Sequence, residues 1–95
     1  MARSKKIQGS GNNLNLKAVS YGSVVVSPHF LKGWKDAKSG APFQEFLDKV
    51  ENWNYERGRQ FSVLFPEVKA IRLGNKPHPE AVALYMNARR EKLIL

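Results

Sequence analysis

Large side chains recur at steps of three and four through the middle of the chain: Phe43, Phe46, Leu47, Val50, Trp53, Phe61 and Leu64, with Arg57 on the same stripe. A 3.6-residue repeat gathers these positions on one face, so the spacing predicts amphipathic helix from about 42 to 65, opened by Pro42 and interrupted by Pro66. Asn52 is a candidate cap for a fresh start, which would split the stretch into two helices with a bend. Gly58 weakens the second half by about 1 kcal/mol relative to alanine. A glycine there suits close packing against another helix.

The flanking segments carry their own signals. Ser27-Pro28 is a helix start, with serine as N-cap and proline at the first helical position. Phe30, Leu31 and Trp34 follow at helical spacing and Gly40 suits a C-terminal cap, so a helix is expected over 28–39. Glu80 to about Leu93 predicts a final helix whose stripe is Val82, Tyr85, Met86, Arg89 and Leu93. Glu67 to Leu73 reads as a helical turn or a short strand. Gly74 to Pro79 reads as a loop, with X-Pro bonds at Pro77 and Pro79, like that at Pro66, for which trans is favoured. Residues 14–26 alternate through Leu14, Leu16 and Ala18, turn at Tyr21-Gly22-Ser23 and end in Val24-Val25-Val26, a pattern that predicts a short hairpin. Such a hairpin is marginal alone and must pack on helices. Residues 1–13 have the composition of a flexible basic tail. The expected fold is therefore α+β and mainly helical: a short N-terminal β-hairpin packed on three or four helices, forming one domain over 14–95 behind a tail.

Composition narrows this further. Ninety-five residues make one small domain, and the absence of cysteine excludes a disulfide framework, a thiol nucleophile and a thiolate metal site. The 42% hydrophobic content is that of a folding chain. Sixteen Lys+Arg against eight Asp+Glu leave a net charge of +8. The excess is uneven: +4 over residues 1–20 from Arg3, Lys5, Lys6 and Lys17, −1 over 21–56, and +5 over 57–95. That asymmetry favours a polyanion or an acidic protein surface as partner, against the plainer reading of a solubility device. The basic N-terminus lacks the apolar stretch of a secretory signal, and no apolar run approaches the ~20 residues of a membrane span, so a cytoplasmic protein is expected.

Catalysis is not expected. His29 and His78 lie far apart without partners at metal-ligand spacing, Asp36 and Asp48 lie among lysines, and no acid, base and nucleophile converge in sequence. No cofactor, metal or small-molecule substrate is implied. Basic and aromatic residues are more informative. In Trp53-Asn54-Tyr55-Glu56-Arg57-Gly58-Arg59-Gln60-Phe61, Arg57 lies four residues from both Trp53 and Phe61, placing it to stack on an aromatic or meet an internal carboxylate. Trp53 and Phe61 are expected in the core. Arg59, four residues from Tyr55 on the opposite face, is the freer head for a phosphate or acidic partner. Arg72, Lys76, Arg89, Arg90 and Lys92 form a second basic cluster. With Arg59, Tyr55 and the tail residues Lys5 and Lys6, it makes a candidate phosphate- or partner-binding face, although Arg89 and Arg90 also suit a helix C-terminus for its dipole alone. No helix-turn-helix, zinc-finger or RNP pattern supports base readout.

Two resemblances follow from these residues. Gly33-Trp34-Lys35-Asp36-Ala37-Lys38-Ser39-Gly40, Pro42-Phe43 and the Trp53–Phe61 segment resemble the helix-loop-helix of ribosome modulation factor-like proteins over about 30 residues. The resemblance implies an α-hairpin with small residues where the helices cross. The family's Cys-Pro-Tyr element has no counterpart here. In size, charge and general character the whole chain is similar to the anti-RecBCD protein 2 family of P22-like phages. That resemblance implies a non-catalytic protein that binds and modifies the host RecBCD nuclease-helicase. The expected function is thus a modulator of a host complex acting on DNA. The alternative is direct DNA or RNA binding through backbone phosphates, including a ribosome-associated role.

Overall fold

The computed structural model describes residues 20–95, which form four helices and one two-stranded antiparallel hairpin. The expected tail and the first arm of the expected N-terminal hairpin lie outside the described residues. Ser20 caps the short helix α1 (Tyr21–Val25), its Oγ accepting the Ser23 N–H at 3.0 Å. The valine run expected as a strand is therefore helical up to Val25, which is wholly buried. Tertiary packing overrides a local β preference here.

Helix α2 (Pro28–Ser39) begins and ends where expected. Ser27 Oγ accepts the Phe30 N–H at 3.3 Å, and Gly40 closes the helix in the left-handed region at φ 76°. Ala41 N–H then reaches back to the Asp36 carbonyl at 2.8 Å, tying up an orphan acceptor.

Helix α3 (Lys49–Leu64) starts seven residues after Pro42. Two side chains explain the delay. Asp48 Oδ1 accepts the Glu51 N–H at 3.0 Å, holding Asp48 extended as the N-cap. Asn52 Oδ1 accepts the Phe46 N–H at 3.0 Å, removing that donor from any helical ladder. Asn52 therefore pins the preceding loop and caps nothing.

The hairpin of the fold lies at the other end of the chain. Strands β1 (Arg72–Leu73) and β2 (Lys76–Pro77) pair Arg72 with Pro77 and Leu73 with Lys76. The two-residue Gly74-Asn75 connection puts Gly74 at φ 64°, as the first position of a type II′ turn favours. Every described peptide bond is trans, including those preceding Pro66, Pro77 and Pro79. Helix α4 (Pro79–Arg90) is capped by His78 Nδ1, which accepts the Glu80 N–H at 3.2 Å. It stops short of Leu93. Lys92 turns the backbone to φ 61°, Leu93 and Ile94 N–H groups return to the Ala88 carbonyl, and Ile94 enters the core while Leu93 stays exposed.

The core centres on Phe30, Phe61 and Tyr85, whose rings lie 5.4–6.4 Å apart, with Val25, Ile71, Ala81, Ala88 and Ile94 around them. Helices α2 and α3 form its densest contact, and two glycines make that possible. A Cβ on Gly33 would fall 3.0 Å from the Tyr55 carbonyl carbon and still closer to its oxygen. One on Gly58 would fall 2.8 Å from the Phe30 carbonyl carbon and again closer to the oxygen. Each helix thus presses backbone into the other's glycine. Gly33→Ala and Gly58→Ala should each cost about 3 kcal/mol or more, because rigid backbone must move. Gly40→Ala, strained only by its φ, should cost about 1–2 kcal/mol. Urea unfolding of the three variants checks the order; equal small losses would contradict the crossing.

Candidate docking surface

The sequence offers the arginines as a binding face. Tyr55 is fully buried, and its hydroxyl donates to Asp36 Oδ2 at 2.7 Å. Arg59 Nη1 donates to that hydroxyl oxygen at 3.2 Å and to the Ala41 carbonyl at 2.9 Å. The pair comes together as the four-residue spacing suggests, but inward, clamping the α2–α3 loop. Tyr55 therefore has no surface to offer a partner, which corrects its place among the candidate contact residues. Arg72 Nη2 donates to the Val26 carbonyl at 2.6 Å, tying the hairpin to the α1–α2 junction. Arg89 donates to the Tyr85 hydroxyl at 3.2 Å and lies 5.0 Å from the Trp53 ring.

Arg57 is buried, 4.2 Å from the Trp53 ring centre, and donates to Glu56 at 2.8 Å. Trp53 is consequently only half-buried, whereas Phe61 is in the core as expected. Arg59 and Arg89 meet different faces of α3, so no continuous basic stripe joins them. Of the expected contact residues, Lys76, Arg90 and Lys92 are exposed, with Arg90 only 3.9 Å from the Met86 sulfur. Lys5 and Lys6 lie outside the described residues.

The surface that sequence reasoning missed is the corner between α2 and α3. Phe43 and Phe46 set their rings edge-on to Tyr55 at 5.5 and 5.0 Å, and His29 packs on Phe46 at 4.8 Å while facing Glu51 at 3.7 Å. With the loop held from below, Leu47 stands fully in solvent, Val50 is 67% exposed and Phe43 50%. Beside them opens a hollow of about 620 Å³ lined by Phe46, Leu47, Asn52 and Trp53, with Glu45, Glu56 and Lys49 at its edge. Residues 41–56 hold four of the chain's eight acids, Glu45, Asp48, Glu51 and Glu56, against Lys49 alone. The hollow is thus apolar with two carboxylates at its rim, Glu45 and Glu56, the latter held by Arg57 at 2.8 Å, on a chain of net charge +8. Its signal was present in the alternation of Leu47 and Val50 with acids, but the helical stripe absorbed both residues into the expected core.

Among the described residues, no group of three His, Asp or Glu side chains is placed to hold a metal ion, and no helix is long and apolar enough to cross a membrane. His78 serves its helix cap and His29 the corner. No family model, curated protein or solved structure matches the chain.

The clamp makes two predictions. Arg59→Ala should lower stability by about 1.5–3 kcal/mol, since it removes charge-assisted hydrogen bonds from a part-buried site, whereas Arg90→Ala should stay within about 0.5 kcal/mol of the parent. Thermal or urea unfolding separates the two, and an unperturbed Arg59→Ala would return Arg59 to the surface class. Asp36 supplies the second. The Tyr55 hydrogen bond holds its carboxyl below the ordinary 3.8, partial burial opposes this, and Lys32 and Arg59 add to the lowering. A folded value below the unfolded one stabilises above pH ~4 and is lost as pH falls through the folded value. Tyr55→Phe should raise the Asp36 value in a carboxyl NMR titration and flatten this acid limb; an unchanged titration would contradict the assignment.

Proposed function

We propose that the chain is a non-catalytic protein-docking module whose α2–α3 corner seats on the protein surface of a complex acting on DNA. The observation that carries this is the exposed Leu47–Val50 corner, set beside an aromatic hollow with a carboxylate rim, while Arg57, Arg59, Arg72 and Arg89 are engaged within the fold. Exposed apolar residues around a half-buried tryptophan have the chemistry of an interface anchor. A carboxylate rim is complementary to the basic surfaces with which nucleases and helicases hold DNA. The role proposed is that of a phage-type modulator, with the host RecBCD nuclease-helicase as the partner. Exposed Lys76, Arg90 and Lys92 favour the second reading, direct contact with nucleic-acid phosphates.

Capture from nuclease-treated host lysate separates these. Docking predicts recovery of a RecBCD subunit without nucleic acid, reduced about tenfold or more, 1.4 kcal/mol per tenfold, by the double substitution Leu47→Ser with Val50→Ser. Arg90→Ala with Lys92→Ala should leave recovery nearly unchanged. Partners that vanish on nuclease treatment, together with DNA or RNA binding that falls steeply with salt, would replace docking by phosphate contact.

A further inference from the structure

We propose that Arg57, Arg89 and the Tyr85 hydroxyl, gathered around Trp53, form a binding site for a phosphate-type oxyanion between α3 and α4. This goes beyond the docking reading and does not depend on it. Arg57 reaches back one turn along α3, its guanidinium carbon 4.2 Å from the centre of the Trp53 ring. Arg89 comes from the last turn of α4 to 5.0 Å from the same ring and donates to the Tyr85 hydroxyl oxygen at 3.2 Å. Besides that oxygen, two acceptors meet these donors among the described residues, Glu56 Oε1 and the Trp53 carbonyl. Arg57 Nη1 takes both, at 2.8 and 3.3 Å.

Two interior donors are left over. Arg57 is buried, and its Nε meets no acceptor among the described residues. Tyr85 is wholly buried, and its hydroxyl accepts from Arg89 but donates to no acceptor among them. Burial pushes this phenol above its ordinary 10.0, against the opposing pull of Arg89 and Arg57, so it keeps its proton at neutral pH. Buried donors without acceptors cost stability, and an incoming anion relieves that cost. Charge points the same way. Arg57 has Glu56, whereas no ion pair of the described residues includes Arg89. The Trp53 ring and the α4 C-terminus favour the cations. A ring engages the face of a guanidinium, however, and leaves the N–H groups in its plane to find acceptors.

The fold contains the completed form of this arrangement. Tyr55 and Arg59 stand four residues apart, Arg59 donates to the Tyr55 hydroxyl, and that hydroxyl donates onward to Asp36 at 2.7 Å. Tyr85 and Arg89 repeat the pair at the same spacing and the same 3.2 Å, with no carboxylate of the described residues at the phenol. The oxyanion takes the role that Asp36 has at Tyr55. Phosphate suits it better than carboxylate, because two guanidinium groups from different helices and a phenol call for acceptor oxygens in several directions. Arg89 and Trp53 are half-buried and the Glu56 side chain is 40% exposed, so the cluster reaches solvent.

Titration of the full, isotope-labelled chain with inorganic phosphate, against chloride at equal ionic strength, tests this by NMR. The Trp53 indole and the Arg57 and Arg89 Nε–H signals should shift and saturate, while the Trp34 indole stays in place. Arg89→Gln should weaken binding about tenfold or more, as loss of a charge-assisted contact does. Tyr85→Phe, which keeps the ring should the first variant unfold, should weaken it about three- to tenfold. Lys76→Ala should leave it unchanged. A short single-stranded DNA is the second arm: tighter binding than inorganic phosphate assigns the oxyanion to a nucleic-acid backbone, and weaker binding assigns it to a free phosphate. No saturation beyond chloride, shifts indifferent to both Arg89→Gln and Tyr85→Phe, or equal movement of the Trp34 indole would overturn the proposal. So would an equal response to acetate, which would assign a carboxylate instead.

Discussion

The reciprocal contact of two glycines with two backbone carbonyls, Gly33 under Tyr55 and Gly58 under Phe30, is the constraint from which the remaining arrangement follows. It lets α2 and α3 approach at backbone distance, closer than side-chain packing allows. That approach places the Tyr55 hydroxyl on Asp36 and brings Phe30 beside Phe61. Tyr55 in turn supports Phe43 and Phe46, and Arg59 locks the loop by its carbonyl at Ala41. The corner owes its exposure to this chain of contacts. A loop held so firmly from below cannot fold Leu47 back into the core, and the Asp48 cap directs the chain straight into α3.

The positive charge of the protein is arranged differently from its arginine count. Arg57, Arg59, Arg72 and Arg89 each donate to an acceptor of the fold, three of them to a backbone carbonyl, at Trp53, Ala41 and Val26. Planar guanidinium groups suit this work, since one head can serve a carbonyl, a phenol and an aromatic face together. In a domain with no disulfide and a modest hydrophobic core, such staples tie loops to helices that apolar burial alone would leave loosely attached. Among the described residues, the exposed cations are lysines and Arg90, spread over the hairpin, helix ends and helix faces.

The legible parts of the fold were those written in local chemistry. Ser27-Pro28 and Gly40 delimit α2 because caps act within a few residues, and Gly58 announced a helix crossing because glycine mid-helix is otherwise costly. The illegible parts were decided by contacts remote in sequence or by competing side chains. Val24 to Val26 resemble a strand until Val25 is given a core to enter. Phe43 to Leu47 keep helical spacing, yet Asn52 and Asp48 take the hydrogen bonds a helix there would need. Tyr55 and Arg59 were correctly paired by spacing, but spacing carries no sign for inward or outward. Leu93 lost its place to Ile94 because a lysine adopts the left-handed turn that glycine usually marks. The docking corner was hidden for the same reason as the loop that builds it: its leucine and valine continued a periodicity whose helix had not begun.

Hydrogen–deuterium exchange of the full chain, alone and with the RecBCD nuclease-helicase, tests the account most directly. Slowed exchange across residues 41–56, with Lys76 and the stretch from Arg89 to Lys92 unchanged, is the predicted result. Slowing confined to Lys76 and that basic stretch, or no slowing at the corner, would contradict it.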